Sequence, residues 1–254
     1  MEISITDLNQ KPHSTVVCYP KVDNSELAGR IVELRSLSID SLVFQGEKKI
    51  DSIRVLGKGC VGIVVLAMQN GKQIALKIRR ADADREKMQA EASMLKAANS
   101  VFVGPQFLGV SDNFLLMELI DGKPLPIWLE EKRERNQVKS ILLDLLQQCR
   151  RLDRIGLDHG ELSHAPKHLI VRKNQGVIID FESASLNRRP ANVTSICQFL
   201  FISRFLGLIV QEKIRRKLNL NALLSGLAAY KKQRTDGNFN EVLKLCYLYD
   251  VGKM

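Results

Sequence analysis

The first 45 residues begin irregularly and then, from Ser25, place Leu27, Ile31 and Leu34 on one face of a predicted helix. From Asp51 the apolar period shortens. The runs Ile53-Arg54-Val55-Leu56, 62–68 and Ile74-Ala75-Leu76-Lys77-Ile78 predict strands, and Asn70-Gly71 between the last two predicts a tight hairpin. A charged helix is expected over 82–98, followed by strands near 107–110 and 114–119. Beyond Gly122-Lys123-Pro124 the pattern turns helical, with 138–152 amphipathic and rich in leucine. A loop-rich stretch, 156–190, carries one short buried strand, Val177-Ile178-Ile179-Asp180-Phe181, and the remainder is helical again. These shifts divide the chain into an N-terminal extension with an amphipathic helix (1–45), a β-rich lobe (46–119) and a mainly helical lobe (120–254).

Composition narrows the setting more than the chemistry. A chain of 254 residues with 45% apolar content can bury a sizeable core, as one large domain or two small ones. Cys18, Cys60, Cys149, Cys197 and Cys246 are odd in number and contain no C-x-x-C pair, which argues against a disulfide framework or zinc site and fits a reducing cytoplasm. The start lacks the apolar segment of a signal peptide, and the richest apolar stretch, 196–210, is too short for a membrane span and carries Arg204. A net charge of +10 suits nucleic acid, an acidic partner or a nucleotide. The clusters Lys213, Arg215, Arg216, Lys217 and Lys231, Lys232, Arg234 come without interleaved aromatics, so they read as solvated helix faces. Association with nucleic acid or a ribonucleoprotein has no motif behind it.

Candidate chemistry begins at Gly57-Lys58-Gly59-Cys60-Val61-Gly62-Ile63-Val64, a G-x-G-x-x-G-x-V pattern in which Gly57, Gly59 and Gly62 let backbone approach phosphate oxygens. A dinucleotide fingerprint would lead from strand into helix, whereas here a β run and a hairpin turn follow. Cys60 reads as a small turn residue. Fifteen residues after Gly62, Lys77 stands in an otherwise apolar strand and needs anionic partners to be buried there. Glu91 on the next helix is the expected carboxylate, and Glu86 is the alternative. Met117, Glu118 and Leu119, followed by Ile120-Asp121-Gly122, end a buried strand in a turn. Further on come His159-Gly160-Glu161-Leu162-Ser163 and then Ile178-Ile179-Asp180-Phe181-Glu182.

In this order the segments resemble atypical kinases of the RIO and KEOPS-associated type, including archaeal and bacterial predicted serine/threonine protein kinases, over residues 51 to about 205. The resemblance implies an α+β, bilobal protein-kinase-like fold with an antiparallel-sheet N-lobe and a reduced helical C-lobe. It implies ATP beneath Gly57, Gly59, Gly62 and Val64, anchored by Lys77 and Glu91, with adenine on the backbone of Met117, Glu118 and Leu119. Asp180 would hold Mg2+ or Mn2+, and Glu161 would take the proton of the acceptor hydroxyl. The acceptor would be a serine or threonine of a protein substrate or of the chain itself.

Two departures from the family pattern carry consequences. Glu161 stands where the family has aspartate, and its extra methylene displaces the carboxylate by about 1.3 Å, a shift to which catalytic geometry is sensitive. Either the loop compensates or catalysis is weak. Five residues on, Pro166 occupies the place of the metal-binding asparagine. Aligning the apolar residues that follow gives that role to His168 and leaves a two-residue insertion within 163–167, flanked by His164 and Lys167, which could reach the transferred phosphate. Imidazole suits manganese better than magnesium. Glu182 after Asp-Phe and the short 183–190 segment argue against a flipping activation segment and a conventional peptide platform. Two other classes stay open: a small-molecule kinase of the aminoglycoside and choline kinase type, which shares H-G-D loops, and a nucleotide-binding pseudokinase acting as switch or scaffold.

Overall fold

The computed structural model describes residues 1–84 and 87–249, which form two compact units. Of the described residues, the first takes those within 1–96 and 105–119, the second 97–104 and 120–249.

In the first unit the elements in chain order are β1 (Glu2–Ser4), α1 (His13–Val17), α2 (Asn24–Ser36), β2 (Ile39–Val43), β3 (Lys48–Ile50), β4 (Ile53–Val55), β5 (Gly57–Lys58), β6 (Gly62–Gln69), β7 (Lys72–Arg79), α3 (Gln89–Asn99), β8 (Phe107–Val110) and β9 (Phe114–Glu118). The last residues of α3, from Ala97, group with the second unit. Seven strands make one antiparallel sheet in the order β1-β2-β6-β7-β9-β8, with β5 beside β6. Asn70 and Gly71 join β6 to β7 with φ of 50° and 73°, the backbone of a two-residue primed turn.

Strand pleat sorts the side chains. Ile63, Val65 and Ala67 of β6, Ile74, Leu76 and Ile78 of β7, and Phe114 and Leu116 of β9 join a core that also takes Leu8, Val16, Leu27 and Leu34 from the N-terminal segment. The alternate residues Val64, Lys77, Leu115 and Met117 therefore belong to the opposite face. The irregular start thus supplies strands β1 and β2 as well as the helix; their apolar residues are too few and too local to announce strands before the sheet forms around them. Helix α2 starts at Asp23, whose carboxylate caps the Glu26 amide at 2.9 Å. It buries Arg30 as well as Leu27 and Leu34.

The second unit contains β10 (Lys123–Pro124), α4 (Leu125–Glu130), α5 (Arg135–Arg154), β11 (Leu169–Arg172), β12 (Gln175–Ile178), α6 (Asn192–Cys197), α7 (Leu206–Ile214), α8 (Leu220–Lys232) and α9 (Asp236–Leu245). Helix α5 turns Val138, Ile141, Leu142, Leu145, Leu146, Cys149 and Leu152 inward against β12, α6 and α7, the period expected of its amphipathic sequence. The loop-rich stretch holds two strands, β11 and β12, rather than one, and β10 joins them in a three-stranded ladder. Residues 169–172 pair with 175–178, so the apolar residues on both sides of Lys173 and Asn174 form a hairpin. The apolar stretch 196–210 is divided between helical segments bent by 79°, and among the described residues no single helix is long and apolar enough to cross a membrane. Part of the C-terminal positive charge has structural work: Lys213 donates to the Glu131 carbonyl at 2.9 Å, and Arg234 to that of Pro190 at 2.5 Å.

Candidate active site

The first unit brings most of its expected residues onto one sheet face. Register pairs Gly57 with Val64, Val64 with Lys77 and Lys77 with Leu115, so one cross-strand row runs through the glycine segment to the strand lysine. Lys77 Nζ donates to Glu91 Oε1 at 2.8 Å, and the two residues are only 4% and 3% exposed. Glu91 is the partner; Glu86 lies outside the described residues. The helix expected over 82–98 starts later, at Gln89, and ends at Asn99; the described residues 82–84 and 87–88 are turn, bend or irregular chain.

The three glycines differ in what the chain itself demands of them. A Cβ on Gly62 would lie 2.9 Å from Lys77 Cε, 3.0 Å from Lys77 Cγ and 3.2 Å from the Ile78 carbonyl oxygen, so the lysine stem requires glycine there. At Gly57 and Gly59 the nearest atoms would be 3.5 and 3.4 Å away, ordinary or nearly ordinary contact, and neither has a left-handed φ. Nothing in the fold forbids a side chain at those two positions. At the strand end, the Glu118 amide donates to the Gln106 carbonyl at 2.8 Å and its carboxylate accepts from the Gln106 amide at 3.2 Å. That amide is already used within the sheet. Met117 and Leu119 are half-buried.

The second unit assembles the other group. Leu169 pairs with Ile178, and the Ile179 amide donates to the His168 carbonyl at 2.9 Å, so the ladder sets His168 beside the residues leading to Asp180. His168 Nε2 lies 3.4 Å from Glu161 Oε2 and 3.7 Å from Asp180 Oδ2. Asp180 has φ +70°, an unusual value for a non-glycine residue and one that clusters at functional sites. Glu161 Oε1 accepts a short hydrogen bond from Ser183 Oγ. One oxygen of the longer carboxylate is thus held by a hydroxyl, and the other faces the His168 ring. Gly160, with φ +91°, lies against Ser183 and Arg188; a Cβ there would come within 2.8 Å of the Ser183 carbonyl oxygen. His164 and Lys167 are both exposed.

His159 anchors this loop from below. It is fully buried, its Nε2 is 3.1 Å from the Ile179 carbonyl, and burial lowers its pKa, so it sits as a neutral ring whose Nε2–H donates. Its amide donates to Asn192 Oδ1 at 2.9 Å. Asn192 in turn donates from Nδ2 to Asp153 Oδ1 at 2.8 Å and to the Leu157 carbonyl at 2.7 Å. Asp153 Oδ2 accepts the Tyr230 hydroxyl at 2.8 Å. Ser183, Asn192 and Asp153 escape a reading of the sequence because their contacts span 22 to 77 residues. The one local signal is an aspartate at the end of a leucine-rich helix.

Comparison with known proteins follows the same outline. A family model described as RIO domain matches residues 66–194. An uncharacterized protein of Methanocaldococcus jannaschii, MJ1211, is 26% identical over 98 residues, covering 39% of this chain and 83% of that protein. Among solved structures, the streptomycin–ATP–APH(2")-IIa ternary complex aligns over 91% of this chain and 98% of that one at 14% identity, with a TM-score of 0.51. The erythromycin complex of Rv3197 from Mycobacterium tuberculosis aligns at 17% identity and a TM-score of 0.41 over 52% of this chain; the match spans 45% of that protein.

Proposed function

This chain belongs to the RIO domain family of kinase-like, ATP-dependent phosphotransferases, and from that premise we propose that it transfers the γ-phosphoryl group of ATP to a serine or threonine hydroxyl of a protein. The observation that carries the reading is the Lys77–Glu91 ion pair. A buried pair is a costly way to hold a sheet and helix together, and apolar residues of similar volume would do so as well or better. Its retention at the end of the Gly57–Val64–Lys77 row makes sense if Lys77 meets phosphate there.

Gly57 and Gly59 support the same reading, because the fold leaves room for side chains that a phosphate would not. Half-buried Val64, Met117 and Leu119 are suited to an adenine ring, with the Glu118 amide not among its donors. Asp180 supplies a carboxylate and His168 an imidazole within 3.7 Å of each other, a donor set chemically suited to a divalent cation, although among the described residues no three side chains form a ready metal group. Those two residues would hold the ion, which would offset phosphate charge. Glu161, with one oxygen held by Ser183, would accept the proton of the acceptor hydroxyl. That hold supports a fixed position for the longer side chain.

A small-molecule acceptor is the second reading. Only 183–190 separates the Asp180 segment from α6 at Asn192, which leaves little chain for a peptide platform. The length of this chain does not count against it, since the fold match spans 98% of the APH(2")-IIa chain.

The test is ATP-dependent thermal stabilisation in magnesium and in manganese, followed by label transfer from ATP. Stabilisation is expected to need Asp180 and to be lost in Asp180→Ala; transfer is expected to fail in Glu161→Gln. Manganese is expected to support turnover better than magnesium because of His168, and turnover in magnesium alone would remove His168 from the metal. Stabilisation without transfer to protein or small molecule would mark a nucleotide-binding switch. Absence of any nucleotide effect would refute the phosphotransferase reading.

A further inference from the structure

Tyr19 follows α1 and reaches the glycine segment through its side chain. Lys58 Nζ stands over its ring at 4.5 Å from the centroid, and Arg80 Cζ at 5.0 Å. Lys58 lies between Gly57 and Gly59. Arg80 holds the same segment by two further bonds, from its amide to the Val61 carbonyl at 2.8 Å and from Nη1 to the Gly59 carbonyl at 3.2 Å. The Arg80 guanidinium is forked onto Asp82, at 2.8 and 2.7 Å, so its charge is compensated and the two cations at one ring do not stand as a bare like-charge pair.

Tyr19 is itself fixed. Its carbonyl accepts the Ala81 amide at 2.7 Å. Two residues earlier, the Val17 carbonyl accepts Nη1 of the fully buried Arg30, which also donates to the Arg79 carbonyl, both at 2.6 Å. With its Nη2 beside Glu26 at 2.7 Å, Arg30 ties the N-terminal segment to β7 from within the core. The glycine segment has the opposite character: a Cβ at Gly57 or Gly59 would meet no more than a near-ordinary contact, and there is no side chain to pack.

We infer that the N-terminal segment positions the glycine-rich segment for nucleotide, with Tyr19 as the positioning residue that clamps Lys58. The consequence for nucleotide rests on the phosphotransferase reading; the clamp itself does not. A segment held in its binding conformation spares the ligand the cost of ordering it. Without the ring, nucleotide binding is expected to weaken about tenfold, the worth of two partly exposed cation–π contacts.

Cys60 makes the segment directly observable, being the exposed one of the chain's five free thiols. A nitroxide on Cys60 reports motion of the segment in the absence of nucleotide, and affinity for ATP is measured on unlabelled protein. Tyr19→Ala is expected to give a more mobile nitroxide spectrum and about tenfold weaker ATP binding, with Tyr19→Phe restoring both because the ring face is what the cations meet. Lys58→Met, at an exposed position, is expected to loosen the segment in the same way and serves if Tyr19→Ala fails to fold. An unchanged spectrum in both variants overturns the inference, as does a loosened spectrum with unchanged affinity for ATP. A loosened spectrum in a chain that binds no ATP supports the clamp and refutes the phosphotransferase reading instead.

Discussion

The Lys77–Glu91 pair allows stability and function to be separated in one experiment. Replacing Glu91 by leucine leaves an ammonium at a site 4% exposed, and replacing Lys77 by methionine leaves a carboxylate at one 3% exposed. Either single change is expected to cost about 3–5 kcal/mol, a large share of the roughly 5–15 kcal/mol that holds a typical domain folded. The double variant, with both charges gone and the volume kept, is expected to be within about 1 kcal/mol of the original or above it, giving a coupling of about 5 kcal/mol or more. Urea unfolding followed by circular dichroism measures all four corners of the cycle. ATP at about a hundred times its dissociation constant adds about 2.7 kcal/mol to a chain that binds it, and the stable double variant is expected to lose that increment entirely. Single variants that cost less than about 1 kcal/mol would refute the claim that the pair is desolvated. A double variant that keeps the ATP increment would refute the assignment of Lys77 to phosphate.

Gly59→Ala is expected to fold normally and bind ATP weakly, whereas Gly62→Ala, whose Cβ would press on Lys77 Cε at 2.9 Å, is expected to lower both stability and binding; melting curves with and without ATP separate the two. Ser183→Ala releases one oxygen of Glu161 and is expected to lower kcat about tenfold, equivalent to about 1.4 kcal/mol, with KM for ATP unchanged and Ser183→Thr restoring the rate. A raised KM at constant kcat would contradict that role. Burial pushes the Asp153 carboxyl above the ordinary carboxylate range, so between its unfolded and folded pKa values the native chain binds more protons and stability falls as pH rises. Asp153→Asn is expected to flatten that part of the profile and to cost about 1–3 kcal/mol, because its amide would face the Tyr230 and Val193 donors; an unchanged slope in urea titrations would refute it.

What could be read in advance, and what could not, divides along the range of the interactions. The β6–β7 hairpin, α5 and the strands at 107–110 and 114–118 follow from apolar period and one turn dipeptide, all of them local. Lys77 and Glu91 were legible for a related reason: the strand and the helix that carry them are consecutive on the sheet, and only 14 residues separate the two charges. The β10–β11–β12 ladder was half hidden because its strands are four residues or fewer, and short apolar runs do not distinguish strand from loop.

The supports of the chemistry were the least visible part, and the reason is physical. A residue that touches a phosphate or takes a proton must be of a particular type at a particular place, and type and spacing are what a sequence displays. A residue that steadies it needs only a donor, an acceptor or a ring arriving from elsewhere in the fold. Ser183 holds Glu161, Asn192 holds the His159 amide, and Tyr19 holds Lys58, yet serine, asparagine and tyrosine at those positions carry no signature of their own. The Glu161 substitution illustrates the limit. Read alone, the extra methylene weakens the case for catalysis; with Ser183 bonded to one oxygen, the longer side chain gains a restraint on its added torsion. Whether glutamate can serve in the place of aspartate therefore depends on a residue 22 positions further along the chain as well as on the glutamate.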